Sequence, residues 1–211
     1  LVGRELESEE VLATDARNKG TTYTGRYVSA GPKASPTEAW LAESLDEVAS
    51  IEAARYGKLH PVAIVSWPTL DPREHDSEWD PATGKKNKGN DRASVAIDHF
   101  EISAEMKAGL FGAYHIYPNY PDFINNEVAY GSYMDEKGLL RYGGYLKEFM
   151  ESHRRYPALV AEFGMANGAG IAHFAPDGLH HGGIDEATAG EEILRMLAAI
   201  EREGYAGGVV F

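Results

Sequence analysis

The stretch RYPALVAEFGMANG, residues 155–168, runs four apolar residues directly into a carboxylate, Glu162. A short apolar run of this kind is typical of a parallel strand that is covered on both faces. The acid at its end has two interpretations. Either Glu162 marks the point at which the strand reaches water, or a rigid strand holds a carboxylate at the mouth of a functional site. In the second case Gly164 allows the chain to turn away tightly, so that Glu162 faces the site.

The same apolar pattern predicts four further strands. The opening stretch itself contains the strand PALVAE (157–162). The further strands are the end of one at LVGRE (1–5), HPVAIVSW (60–67), LFGAYHIYP (110–118) and AGGVVF (206–211). Helices are predicted at 8–20, 35–57, 98–108, 143–155 and 185–204. This alternation of strands and helices indicates an α/β fold with a parallel sheet.

The helix predicted at 35–57 has the most complete set of local signals. Ser35 and Glu38 form a capping box, and Pro36 occupies the first helical position. Gly57 is a C-terminal stop. We expect one apolar stripe on this helix, made of Leu41, Leu45, Val48 and Ile51.

The lengths of the connections favour one α/β architecture. Connections that enter strands are short, whereas those that leave strands are long, at 68–97, 119–142 and 163–184. All long loops therefore lie at the C-terminal ends of the strands, as expected for a parallel (β/α) barrel of the TIM type with its site on that face. An open doubly wound sheet uses the same face, but no glycine-rich nucleotide-binding turn follows the first strand. We predict a single catalytic domain over residues 1–211.

The composition excludes several classes of partner. The chain has 211 residues, with 33 acidic against 20 basic side chains and a net charge of −13. This charge argues against nucleic acid or an anionic membrane surface as a partner, and is compatible with a neutral or cationic ligand. The absence of cysteine excludes disulfides, thiolate metal sites and cysteine nucleophiles, but it does not fix the compartment. No apolar run is long enough to predict a membrane span.

Polar and aromatic side chains stand where the predicted strands end. They are Glu5, Trp67, Asp71, His115, Tyr117 and Glu162, with Tyr120 in a following loop. Two carboxylates on separate strands suit glycoside hydrolysis, in which one acid protonates the leaving oxygen and a second carboxylate acts as nucleophile or base. Aromatic faces are good platforms for sugar rings. The histidines show no metal-binding spacing such as HExxH, so we predict neither a metal site nor a cofactor.

The segments GRE, HIYP, ALVAEFG and GGVVF together resemble the strand ends of clan A glycoside hydrolases, which are retaining (β/α)8 barrels. The resemblance implies that Glu5 is the acid/base and Glu162 the nucleophile, and that His115 and Tyr117 contact the substrate and the nucleophile. Arg4 stands where that clan usually has Asn. The longer strings WPTLDPREH, YHIYPNYPDF and GIAHFAPDGLHHGG resemble an uncharacterised bacterial group of barrel proteins within this class.

The resemblance covers nearly all of the chain but only the fourth to eighth strands of such a barrel. It therefore implies a partial barrel, with about five of eight βα units. A barrel without its other strands would leave two open sheet edges. We therefore expect the remaining strands to come from a longer polypeptide or from a partner chain.

The leading functional hypothesis is a retaining glycosidase that acts on an oligo- or polysaccharide. The predicted catalytic residues are Glu162 and Glu5, and the predicted substrate-binding residues are His115, Tyr117, Trp67, Arg4, Asp71 and Tyr120. A carboxyl separation of roughly 5–5.5 Å would indicate retention, and roughly 6.5–9.5 Å inversion. The alternatives are a carbohydrate-binding pseudoenzyme on the same barrel, and a metal-dependent hydrolase that uses Asp71, His75, His115 and His173.

Overall fold

A five-stranded parallel sheet forms the centre of the protein, as seen in a computed structural model that describes residues 1–80, 85–86 and 89–211. Its strands are β1 (Val2–Gly3), β2 (Val62–Ser66), β3 (Leu110–His115), β4 (Ala158–Phe163) and β5 (Gly208–Val210). Each strand pairs in parallel with the next one along the chain, so the order in the sheet is the order in the sequence. The predicted α/β fold with a parallel sheet is confirmed.

In the described part of the chain, α-helices occupy three of the four connections between these strands. They are α1 (Ser8–Arg17) and α2 (Pro36–Tyr56) before β2, α3 (Phe123–Asn126) and α4 (Arg141–Met150) before β4, and α5 (Glu186–Arg202) before β5. The helices predicted at 8–20, 35–57, 143–155 and 185–204 are therefore confirmed, with different ends. Within the described residues, no helix has the length and apolar character that a membrane crossing needs.

The helix predicted at 98–108 is wrong. Ile97–His99 form a 3-10 turn, and Phe100–Ile102 form a strand that pairs antiparallel with Val28–Ala30. Burial alternates along this strand, because Phe100 is fully buried and Glu101 is exposed. This two-residue period fits a half-buried strand and not a helix. Short antiparallel pairs also join Trp79–Asp80 to Lys85–Lys86 and Met134–Asp135 to Gly138–Leu139, while residues 81–84 and 87–88 of the predicted loop 68–97 lie outside the described residues.

Helix α2 has the predicted ends but a different buried face. The capping box of Ser35 and Glu38 is present, and Gly57 adopts the left-handed conformation with a φ of 66°. Leu41 and Leu45 are buried as expected, whereas Val48 and Ile51 are 39% and 59% exposed. The buried face continues through Ala42 and Ala49 instead, whose small side chains let the helix lie close to the sheet.

The two faces of the sheet are covered differently. One face carries residues such as Ile64 and Val160, which belong to two cores shared with helices α2, α4 and α5. The other face carries a small cluster built from strand residues alone, namely Ala63, Val65 and Ala113 with Phe111 and Ala161. Within the described residues, the helices therefore pack on one face of the sheet, and the middle of the second face is buried as well.

Candidate active site

A cavity of about 560 Å³ opens at the C-terminal ends of the strands. Its lining consists of Glu5, Trp67, Pro68, His115, Tyr117, Asn119, Tyr120, Met165, Ala166, His173, His181 and Phe211. Its volume lies within the usual range for small-molecule sites. The cavity is therefore at the end of the sheet at which the loop lengths predicted a site.

A bulge in β4 determines the direction in which Glu162 points. Tyr114 pairs with Val160, and the next residue of β3, His115, pairs with Glu162, so β4 has one extra residue at this position. Successive residues of a regular strand point to opposite faces. Without the extra residue, position 161 would pair with His115, and Glu162 would turn to the helix-covered face. The bulge places Glu162 on the same face as His115.

Gly164 has a different role from the predicted tight turn. A β-carbon at this position would lie 2.5 Å from the carbonyl oxygen of Phe211, closer than such atoms approach. Glycine is therefore required because two backbone segments meet here, beyond the ends of β4 and β5. The contact keeps Phe211 at the cavity wall.

Glu5, His115 and Glu162, which we call the site cluster, converge from the ends of β1, β3 and β4. One side-chain atom from each of the three lies within 4.8 Å of the other two. His115 lies between the glutamates, with Nδ1 at 2.9 Å from Glu5 Oε1 and Nε2 at 3.5 Å from Glu162 Oε1. All three side chains are partly exposed; Glu5 and His115 line the cavity, and Glu162 lies directly beside His115.

Different contacts fix the positions of Glu162 and of the segment that carries Glu5. The Tyr117 hydroxyl donates a hydrogen bond of 3.1 Å to Glu162 Oε2. Burial, together with the negative charge of Glu162, raises the pKa of Tyr117 well above its ordinary value, so the hydroxyl keeps the proton that it donates. On the other side, Trp67 Nε1 donates to the carbonyl of Leu6, the residue that follows Glu5.

Aromatic and histidine side chains form one wall of the cavity. The rings of Trp67 and Tyr120 lie 5.8 Å apart between centroids, and those of Tyr120 and His173 are perpendicular with centroids 5.7 Å apart. His173 Nε2 lies 2.7 Å from Asp122 Oδ1, and Tyr120 donates to Asn90 Oδ1. Contacts between three separate loops therefore hold this wall in place.

Five of the eight predicted site residues line the cavity: Glu5, Trp67, His115, Tyr117 and Tyr120. Glu162 contacts two of these lining residues, His115 and Tyr117. The other seven lining residues are Pro68, Asn119, Met165, Ala166, His173, His181 and Phe211, of which only His173 was named from the sequence, in the metal-dependent alternative. All seven follow strand ends, and the only available signal was that long loops gather at this face.

Arg4 and Asp71 do not line the cavity. The Arg4 side chain is 63% exposed and pairs with Glu10 of α1. Asp71 is buried and accepts hydrogen bonds from the Tyr145 hydroxyl and from the backbone N–H of Arg73. Neither residue is in a position to contact a ligand that occupies the cavity.

Asp71, His75 and Asp91 form a second group, which we call the buried cluster. His75 Nε2 lies 3.6 Å from Asp71 Oδ2, its Nδ1 lies 3.9 Å from Asp91 Oδ1, and its ring stacks on Phe123. Burial raises the pKa of Asp71 to about 7, although the charge of His75 acts in the opposite direction. Burial lowers the pKa of His75, but the two aspartates outweigh it and raise the pKa overall.

Comparison with protein-family models, with curated proteins and with solved structures finds no match for this chain.

Proposed function

We propose that this protein is a retaining glycoside hydrolase that acts on an oligo- or polysaccharide. The observation that supports this most directly is the pairing of Glu5 and Glu162, whose nearest oxygens lie within 4.8 Å at the open end of the sheet. A short separation of this kind is typical of retaining enzymes, because inverting enzymes keep their carboxyl groups roughly 6.5–9.5 Å apart to admit a water molecule. The aromatic wall beside the pair provides surfaces for sugar rings.

We further propose that the sheet is part of a (β/α) barrel. Three features support this: the strands follow one another in sequence order, the described helices pack on one face, and the ends of β1 and β4 converge. In a flat sheet β1 and β4 would lie roughly 14 Å apart, since neighbouring strands are spaced by about 4.8 Å. The close approach of Glu5 and Glu162 fits a sheet that curls around the site. In this proposal the remaining strands come from a longer polypeptide or from a partner chain.

The proposed reaction has two steps. In the first, a Glu162 oxygen attacks the anomeric carbon, the bond from that carbon to the leaving oxygen breaks, and its electron pair takes the proton of Glu5. In the second, Glu5 removes a proton from water, the oxygen of that water bonds to the anomeric carbon, and the bond to Glu162 breaks. The sugar is released with its original configuration, and both carboxyl groups return to their starting states.

The contacts of the two glutamates support this division of roles. Tyr117 donates a hydrogen bond to Glu162, which matches the acceptor character of an ionised nucleophile. Glu5 is the more exposed of the two, with 43% of its side chain accessible against 28% for Glu162. Glu5 is therefore accessible to a leaving group and afterwards to water.

The test uses the full polypeptide with aryl β-glycosides, β-glucans and mannans as substrates. We expect Glu162→Gln and Glu5→Gln to lose activity, and Glu201→Gln, an exposed position on α5, to keep it. A fluorinated aryl glycoside should leave a sugar attached to Glu162, detected by the mass of the intact protein. Proton NMR of the first product should show the substrate's anomeric configuration, and an inverted product would contradict the proposal.

A second candidate is a carbohydrate-binding pseudoenzyme on the same scaffold. It is favoured by Arg4, which pairs with Glu10 outside the cavity and leaves the position before Glu5 without a group that touches the ligand. Sugar binding without release of product by either the wild type or Glu162→Gln would select this candidate. The metal-dependent hydrolase that uses Asp71, His75, His115 and His173 together is not supported as one site, since His115 and His173 line the cavity but Asp71 and His75 do not.

A further inference from the structure

We infer that the site cluster binds one divalent transition-metal ion, with Zn²⁺ as the model ion, and that this ion inhibits the hydrolase. The binding is independent of the proposed function, whereas the inhibition rests on it. Glu5, His115 and Glu162 each offer one donor atom, and these atoms lie within 4.8 Å of one another. This juxtaposition revises the expectation from the sequence, in which the histidine spacing predicted no metal site.

The chemistry of the donors selects the class of ion. The direct ligands, an imidazole nitrogen of His115 and a carboxylate oxygen of Glu162, form a mixed nitrogen and oxygen set, which suits zinc and its neighbours in the transition series. Calcium and magnesium prefer sites made of oxygen alone. The two carboxylates also balance the charge of a dication. The cluster therefore favours a transition-metal ion over the hard cations.

The two ring nitrogens of His115 have different roles in this site. A zinc ion bonded to nitrogen and oxygen in tetrahedral geometry separates its ligands by roughly 3.4 Å, from bond lengths of about 2.1 Å. His115 Nε2 and Glu162 Oε1 are already 3.5 Å apart, so an ion can bind between them with little movement. Nδ1 meanwhile faces Glu5 Oε1 at 2.9 Å, which is the contact that orients a metal-bound histidine through its second nitrogen.

Access and competition follow from the position of the cluster. His115 and Glu162 are partly exposed, and His115 lines the cavity, so an ion and water molecules can complete the coordination there. An ion bound to Glu162 occupies the lone pair that attacks the anomeric carbon. We therefore expect Zn²⁺ to compete with the substrate and not to support the reaction. With two direct protein ligands, the site should be weaker than a structural zinc site with four.

The test begins with calorimetric titration of metal-free full polypeptide with ZnCl₂. We expect Glu162→Gln and His115→Phe to lose the same single ion, and Glu5→Gln to keep it with an affinity about 10–100-fold lower, as for other residues that orient a ligand. His60→Ala is the matched control, because His60 lies 3.0 Å from Glu52 in an exposed pair elsewhere on the protein. Loss of the tightest ion in His60→Ala, or its retention in Glu162→Gln, would overturn the assignment.

The activity measurements separate this proposal from the proposed function. An increase in apparent KM with Zn²⁺ at constant kcat, reversed by chelator, supports inhibition at the site cluster. Loss of activity in chelator and recovery with Zn²⁺ would make the ion a cofactor and overturn the inhibitory role. If the polypeptide binds the ion at this cluster but never releases sugar, the binding site stands and the glycosidase proposal fails together with the inhibition.

Discussion

The site cluster and the buried cluster use the same kinds of residue, a histidine between two carboxylates, in different surroundings. The three side chains of the site cluster are between 17% and 43% exposed, whereas those of the buried cluster are at most 6% exposed. Each cluster has a tyrosine that donates to a carboxylate, at 3.1 Å from Tyr117 and at 3.0 Å from Tyr145. The comparison indicates that access to a cavity, and not residue type, separates a candidate for chemistry from a group that holds a loop in place.

The buried cluster connects the loop that follows β2 to the helical layer. Asp71 and His75 lie directly after β2, Tyr145 belongs to α4, and the ring of His75 stacks on Phe123 of α3. Charged groups that are buried in this way contribute to stability only while all partners are present. We therefore expect changes in the buried cluster to affect unfolding and changes in the site cluster to affect turnover.

The largest expected effect is the loss of activity in Glu162→Gln. Removing the proposed nucleophile should lower kcat by about 10³-fold, since a positioned catalytic group contributes about that much in enzymes. The substitution keeps the shape of the side chain and its hydrogen bond with Tyr117, so the midpoint of thermal unfolding should change little. Steady-state kinetics and calorimetry measure the two quantities on the same sample.

Asp71→Asn is the matched change in the buried cluster. Here we expect kcat to stay within about twofold of the wild type, because Asp71 does not line the cavity. A loss of activity as large as that of Glu162→Gln, in protein that is still folded, would remove the distinction between the clusters.

The sequence predicted the position of the site cluster better than it predicted the burial of Asp71. Glu162, His115 and Tyr117 follow apolar runs whose strands are confirmed, so their common position at the end of the sheet could be derived. The bulge that turns Glu162 toward His115 could not, because it is a property of the pairing between two strands. Asp71 follows a strand end as well, and nothing in the local sequence distinguishes a buried carboxylate from one that faces a cavity.

The other differences between the sequence predictions and the structure arise from contacts between segments that are distant in the chain. His173 reaches the cavity wall through its contact with Asp122, and a contact between two long loops cannot be read from either segment alone. The helix predicted at 98–108 was wrong because Phe100–Ile102 pair with Val28–Ala30, a partner about 70 residues away in the chain. The elements predicted well were those with local signals, such as the capped helix α2.

The second prediction concerns the pH dependence of stability. The pKa of Asp71 is raised from 3.8 to about 7, so the folded protein binds its proton more tightly than the unfolded chain does. This contribution is fully present below about pH 4 and is lost as the pH rises toward 7. The raised pKa of His75 acts in the same direction, with its contribution lost as the pH rises above 6.5.

Asp71→Asn removes the titrating carboxyl group and should therefore alter the pH profile. The free energy of unfolding of Asp71→Asn minus that of the wild type should increase between pH 4 and pH 7.5 by up to about 4 kcal/mol, the energy equivalent of the pKa change, because only the wild type loses stability over this range. Urea unfolding at several pH values measures this difference. A difference that does not vary with pH would contradict the role assigned to burial.

The third prediction uses Tyr145→Phe. The change removes the hydroxyl that donates to Asp71 Oδ2 and leaves a buried carboxyl group with one partner fewer. Because both residues are buried, we expect the free energy of unfolding to fall by about 2 kcal/mol. Activity at a temperature well below the unfolding transition should not change. A fall in kcat without a fall in stability would place this tyrosine in the reaction.

The smallest expected effect belongs to the corresponding change in the site cluster, Tyr117→Phe. The Tyr117 hydroxyl donates to Glu162 Oε2, and the substitution by Phe keeps the aromatic ring but removes this hydroxyl. Both residues are partly exposed, so water can replace the lost hydrogen bond and the stability should change by less than about 0.5 kcal/mol. Without this donor the orientation of Glu162 in the proposed attack is less well fixed, and kcat should therefore fall about tenfold, which corresponds to about 1.4 kcal/mol. Tyr145→Phe is the control. We expect Tyr145→Phe to lower stability without changing kcat, and Tyr117→Phe to lower kcat without changing stability. Equal effects on both quantities in both variants would mean that exposure does not separate the two clusters.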